Sequence, residues 1–123
     1  MIKLTFCMHR QAHLSREEFQ AYWRDKHGPL VQQHATALGV CRYVQVHTLS
    51  DSLNDAMRSA RGTGDPYDGV AELWWDDRAT LDRAFSTPEG RAASKALMED
   101  EARFIDASRS SVWVGEEVEL VNE

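Results

Sequence analysis

Apolar residues switch between a period of two and a helical period along this chain, and the order of the switches leaves few folds open to it. Residues 2–9 alternate, with Ile2, Leu4, Phe6 and Met8 on one face and Lys3, Thr5, Cys7 and His9 on the other, as in a strand. Ser15 and Glu18 then have capping-box spacing, and Phe19, Tyr22, Trp23, His27, Leu30, His34 and Leu38 recur near helical spacing until Gly39. Residues 40–49 and the run from Gly69 to Trp75 are rich in β-branched and aromatic types and predict two further strands. Asp77 opens a second helical region carrying Leu81, Ala84 and Phe85, broken near Thr87-Pro88 and resuming through Ala92, Ala93, Ala96, Leu97 and Phe104. Residues 111–121 predict a last strand, so the order is β-α-β-β-α-β.

That order predicts one α+β domain over residues 1–123, ferredoxin-like, with helices on one face of an antiparallel sheet. A chain of 123 residues has room for a single core. In the usual strand order of this fold, the third strand lies between the first and second, which puts Cys7 and Cys41 roughly 9–10 Å apart. That is too far for a disulfide, and both are expected as reduced core residues. The first and third strands carry apolar or large residues on both faces, with Trp74 and Trp75 in succession, so the second face of the sheet needs a cover. A homodimer with its two sheets packed together, a dimeric α+β barrel, would supply it. The segment from Ser50 to Asp68 is too long for a tight hairpin and holds a short predicted helix ending at Gly62; it suits a lid, a dimer contact or a plain insertion.

Composition removes several partners. With 14 Lys and Arg against 20 Asp and Glu the net charge is -6, which argues against a nucleic acid or an anionic membrane surface. No apolar run approaches the ~20 residues needed to span a bilayer, and the first residues lack a charged-then-apolar leader, so the cytoplasm is the expected compartment. There is no HExxH, Cys-x-x-Cys or His-x-His spacing to bind a metal. No GxGxxG or GxxxxGK stands ready for a nucleotide cofactor, and no Gly-x-Ser-x-Gly carries a serine nucleophile. The expectation is therefore no metal and no cofactor.

The residues best suited to chemistry lie between Tyr22 and Leu30. Pro29 has no N–H and Gly28 is a poor helix former, so the first helix is expected to kink or end there. A new segment starting at Pro29 would leave the N–H groups of Leu30 and Val31 free beside His27, a weak anion site. An imidazole titrates near ~6.5, so His27 can take and return a proton at neutral pH, as in abstraction next to a carbonyl. The alternative for His27 is a side chain that caps the kinked helix. Tyr22 offers a phenol near His27, against a packing role with a bonded hydroxyl. With a mild kink, Trp23, His27 and His34 share the helix face toward the sheet. Tyr43 and His47 share a parity in the second strand and can assist a substrate or line a dimer seam. Trp74 is a further substrate-platform candidate, against a place in the core. Asp25 can orient His27 or face water, and Glu72 is a further candidate, since a carboxylate inside the third strand is costly to bury unpaired, against a salt bridge with Arg42 on the neighbouring strand.

Taken together, Met1-Ile2-Lys3-Leu4-Thr5-Phe6, Leu14-Ser15-Arg16-Glu17-Glu18-Phe19, Tyr22-Trp23, His27-Gly28-Pro29-Leu30, Arg42-Tyr43-Val44-Gln45 and Asp68-Gly69-Val70-Ala71-Glu72-Leu73-Trp74 resemble the EthD domain family. The resemblance covers nearly the whole chain, and Tyr-Trp…His-Gly-Pro is its most specific part. It implies a dimeric α+β barrel, a fold shared with aromatic polyketide cyclases, muconolactone isomerases and cofactor-free quinone-forming monooxygenases. A fold does not fix a reaction. The reading preferred on the residues is a cofactor-independent lyase, cyclase or isomerase acting on a small oxygenated aromatic or polyketide-like compound, with His27 and Tyr22 catalytic and Trp23, His34, Tyr43, His47 and Trp74 around the substrate. The alternatives are a cofactor-free monooxygenase and a non-catalytic accessory or ligand-binding protein.

Overall fold

The computed structural model describes residues 1–123. Strand β1 (Ile2–Met8) leads to helix α1 (Arg16–Tyr22), a π-helical turn (Trp23–His27) and helix α2 (Gly28–Leu38). Strand β2 (Arg42–His47), helix α3 (Ser52–Arg61) and strand β3 (Gly69–Trp75) follow, then helices α4 (Arg78–Ser86) and α5 (Pro88–Glu101) and strand β4 (Ser111–Glu116). The sheet is antiparallel throughout in the order β2-β3-β1-β4, so β3 separates β1 from β2. This is the ferredoxin-like α+β fold.

Local chemistry sets the boundaries. Ser15 and Glu18 close the capping box, Asp77 caps α4 through its carboxylate, and Thr87 caps α5 ahead of Pro88. Strand β4 stops at Glu116 rather than at residue 121 because Glu116 already faces Ile2, the first residue of β1, and the chain beyond has nothing to pair with. Strand β2 starts at Arg42: Gly39 ends α2 in the left-handed region (φ 69°), and Cys41 sits in a bend. Cys41 is therefore exposed, not a core residue, with Sγ 3.3 Å from the Trp74 carbonyl; Cys7 is half-buried, and both are free thiols.

The expected break at Gly28-Pro29 is absent. Tyr22, His27 and Gly28 all keep right-handed helical dihedrals, and the Gly28 N–H donates to the Trp23 carbonyl, five residues back. The proline interrupts the ordinary ladder, and one wide turn absorbs the interruption without ending the helix. No free helix start, and so no anion site of that kind, stands beside His27.

One face of the sheet carries Leu4, Phe6, Met8, Ala71, Leu73 and Trp75 toward the helices. Two buried clusters fill that side, one around Met8, Phe19, Trp23 and Phe104, the other around Val31, Leu38, Ala93 and Leu97. Gly69 is required by the first: a Cβ there would lie 2.4 Å from the Trp23 ring. The opposite face bears Lys3, Thr5, Glu72, Trp74 and Trp113. Glu72 pairs with Lys3 and not with Arg42, which lies over the Trp74 ring at 4.4 Å, with Lys3 at 4.9 Å. On this face Val46 and Trp113 remain 46% and 51% exposed, an uncovered apolar surface. Helix α3 buries none of its residues, whereas the segment's end is anchored at the fully buried Asp68, which accepts from Arg10 (2.8 Å) and Arg16 (3.0 Å).

Candidate active site

Between the two core clusters the helices and the sheet leave a cavity of about 310 Å³. Fifteen of its eighteen lining residues are hydrophobic, among them Leu4, Phe6, Trp23, Trp75 and Met98. His27 and Glu101 are its only acidic or basic wall residues, and Tyr43 adds a phenol. A larger open cleft of about 530 Å³ lies elsewhere, near α3, but its Arg10, Arg16 and Arg58 are engaged by Asp68 and Asp65.

His27 is 5% exposed and is packed by Phe104, whose ring centroid is 5.0 Å away. Its Nδ1–H donates to Asp100 Oδ2 at 2.7 Å, which fixes the tautomer and leaves Nε2 with a lone pair. Nε2 has no hydrogen-bond partner, and Glu101 Oε2 lies 3.9 Å from it. Since no side-chain nitrogen or oxygen in the protein is both buried and unpartnered, Nε2 is not sealed off, and its side chain forms part of the cavity wall. The imidazole caps no helix end: its only bond is to a carboxylate on α5.

Asp100 is the hub of this arrangement. Its Oδ1 accepts from the Tyr22 hydroxyl at 2.6 Å and from Arg103 Nη1 at 3.1 Å. Burial by itself would raise its pKa, but the bonds from Tyr22 and His27 outweigh that and hold the carboxyl below its ordinary value. The His27 pKa is lowered too, here by burial, opposed by the bond to Asp100 and that carboxylate's charge, so the neutral base prevails at neutral pH. Burial, with the Asp100 charge adding to it, pushes Glu101 up to about 7. The site thus pairs an ionised carboxylate behind the imidazole with a protonatable one in front of it.

The structure brings His27, Trp23 and Tyr43 together on the cavity wall. Tyr22 lies behind, its hydroxyl committed to Asp100 and not directed to a substrate. Tyr43 holds the cavity phenol; its oxygen accepts from Gln45 Nε2 at 2.7 Å, and burial raises its pKa. His34 is half-buried but outside the cavity wall. His47 stacks on Trp23 at 4.4 Å and donates through Nε2 to Gln45 Oε1 at 2.8 Å, filling space at the far side of that ring. Trp74 belongs to the opposite face of the sheet, where its indole N–H meets Glu117. Asp25 faces water and pairs with Arg24. No three His, Cys, Asp or Glu side chains gather as metal ligands.

Asp100 and Glu101 are the functional residues that the sequence reading passed over. A signal was present: Ala93, Leu97 and Phe104 mark the apolar stripe of this region, and Asp100 falls on it three residues after Leu97, where an acidic residue has no business unless it is paired.

A ferredoxin-like antiparallel sheet with helices on one face, and an apolar cavity between them, defines the class as an α+β protein of ferredoxin-like fold. The sequence profile of the EthD domain matches residues 11–108, and the chain belongs to the EthD family. Among curated proteins no match was found. Solved structures resemble it in fold. An ethyl tert-butyl ether D (EthD) family protein from Bacillus halodurans C-125 is 20% identical with a TM-score of 0.63, over 96% of this chain and 99% of that one. A dimeric protein of unknown function and ferredoxin-like fold from Bacteroides fragilis is 10% identical with a TM-score of 0.57, over 94% and 95%. SnoaB, a cofactor-independent oxygenase from Streptomyces nogalater, is 16% identical with a TM-score of 0.53, over 98% of each chain.

Proposed function

We propose that this protein is an acid–base enzyme, a cofactor-independent lyase, cyclase or isomerase, that binds a small oxygenated aromatic or polyketide-like compound in the apolar cavity. One observation carries the reading: His27, on the cavity wall, is held through Nδ1 by Asp100 while its Nε2 has no hydrogen-bond partner. Nε2 takes a proton from a carbon next to a substrate carbonyl, and the Asp100 charge stabilises the imidazolium that forms. Tyr22 and Arg103 keep the Asp100 carboxylate turned toward the ring. The apolar walls exclude water and strengthen these electrostatic effects. Tyr43 is the donor placed to polarise the substrate carbonyl. We propose further that two copies pair through the face bearing Val46, Trp74 and Trp113.

Nitrobenzisoxazole, a flat aromatic whose ring opens when a base removes one C–H proton, tests the base directly. Wild-type protein is expected to open it, and His27→Ala to lose about a hundredfold in rate, the usual contribution of a positioned base. Equal rates for the two proteins would sink the role of His27. A carbanion formed in an apolar pocket is also what a cofactor-free oxygenase needs, and the SnoaB-like fold keeps that second reading in play. Oxygen consumed in step with substrate would favour it; turnover under argon would favour the lyase, cyclase or isomerase. A ligand bound tightly and recovered unchanged after long incubation would favour the accessory role.

A further inference from the structure

The imidazole of His27 stands between consecutive carboxylates of α5, and they do different things. Asp100 turns behind the ring to Nδ1, whereas Glu101 turns into the cavity toward Nε2, 3.9 Å away. We propose that Glu101 is the acid partner of His27, delivering a proton to a substrate oxygen on the same face from which His27 removes a C–H proton, and that the substrate is electrically neutral. The proposal rests on the His27 reading above.

Charge on the wall defines the substrate class. The cavity holds no Lys or Arg, so a carboxylate or phosphate would enter without a counter-ion and meet Glu101. A neutral ketone or hydroxyketone on an aromatic or polyketide-like frame meets apolar walls, the Tyr43 phenol, the Ser94 hydroxyl and the acid–base pair, and brings no unpaired charge of its own. Proximity decides the kind of reaction. In the loss of water from a β-hydroxyketone, Nε2 takes the proton beside the carbonyl, the electron pair of that C–H bond forms the C=C bond, and the C–O bond breaks. The departing hydroxyl takes the Glu101 proton and leaves as water. The turnover ends with His27 protonated and Glu101 ionised, the reverse of its starting state. Transfer of that one proton from Nε2 to Oε2, across a gap that one water or a small rotation closes, restores the pair. Aldol-type ring closure has the same proton account, because a C–H proton is lost and a carbonyl oxygen gains one. A carboxyl held up to about 7 by burial has a proton to give at neutral pH.

The test uses full-length protein, Glu101→Gln and His27→Ala, with nitrobenzisoxazole and the β-hydroxyketone formed from benzaldehyde and acetone, whose dehydration gives the absorbing benzylideneacetone. Nitrobenzisoxazole needs only a base, so Glu101→Gln is expected to lose at least about thirtyfold more rate on the hydroxyketone than on nitrobenzisoxazole; His27→Ala loses both. Equal effects of Glu101→Gln on the two probes, or none, would overturn the pair. Failure of wild-type protein to dehydrate the ketone while still opening nitrobenzisoxazole would overturn it too, leaving His27 as a lone base. Failure on both would remove both readings. Calorimetry with acetonaphthalene and naphthoate, alike in size, checks the charge claim. The ketone is expected to bind at least tenfold more tightly, and a preference for naphthoate would overturn the neutral-substrate assignment.

Discussion

Asp100 accepts hydrogen bonds from Tyr22, His27 and Arg103, so substitutions around it separate orientation from charge. Asp100→Asn keeps the shape but removes the charge behind the imidazole. We expect turnover of a proton-abstraction probe to fall on the order of a hundredfold, and the His27 pKa to drop further because the carboxylate charge that raises it is gone, as read by histidine NMR titration. Tyr22→Phe removes one bond to an ionised acceptor, expected to cost about 1.5 kcal/mol of stability in urea unfolding and less than tenfold in rate. The histidine was legible because His27 stands beside a helix anomaly. Its partner was not, because it lies 73 residues further along, and no local spacing announces a contact made by folding.

At the scale of elements, the strands and helices could be read from period, caps and punctuation: β3 runs from Gly69 to Trp75 as the residue types predict, and Gly62 ends α3 in the left-handed region. What period cannot show is a compensation. Gly28-Pro29 reads as a break because both residues disfavour helix, yet the burial of Trp23 against Gly69 and of His27 against Asp100 and Phe104 makes continuing through a π turn the better solution. That packing is tight at Gly69. Gly69→Ala is expected to cost about 2 kcal/mol by driving a methyl into the Trp23 ring, seen as a lower urea midpoint with an unchanged slope. The far ends of β2 and β4 were overread because strand length is set by the neighbour; Glu116 has run out of partner at Ile2.

For the whole molecule, stability should depend on pH through the cavity. Folding raises the Glu101 pKa from 4.5 to about 7, so across that window the folded chain binds more protons than the unfolded one and stability falls as pH rises. The loss is on the order of 3 kcal/mol at most, since the side chain is still 26% exposed. His27, lowered on folding, acts with the opposite sign below 6.5, so the informative curve is wild type minus Glu101→Gln. That difference is expected to grow in favour of the variant from pH 5 to pH 8 by thermal unfolding; a flat difference would contradict it. Association is the second property at this scale. Light scattering at micromolar concentration should give twice the 14.0 kDa chain mass, and Trp113→Asp should shift it toward the single chain. The sequence hinted at this through its two-sided apolar strands but could not say which face held the cavity.

The neighbouring tryptophans of β3 point to opposite sides of the sheet, and the remaining indoles divide the same way: Trp23 and Trp75 border the cavity, Trp74 and Trp113 the outer face. The chain therefore carries intrinsic fluorescent labels in matched pairs. Replacing Trp74 and Trp113 with Phe leaves emission that responds to what enters the cavity, and replacing Trp23 and Trp75 leaves emission that responds to what covers the sheet. Ligand entry and subunit pairing can then be timed separately in one stopped-flow experiment, without attaching a dye.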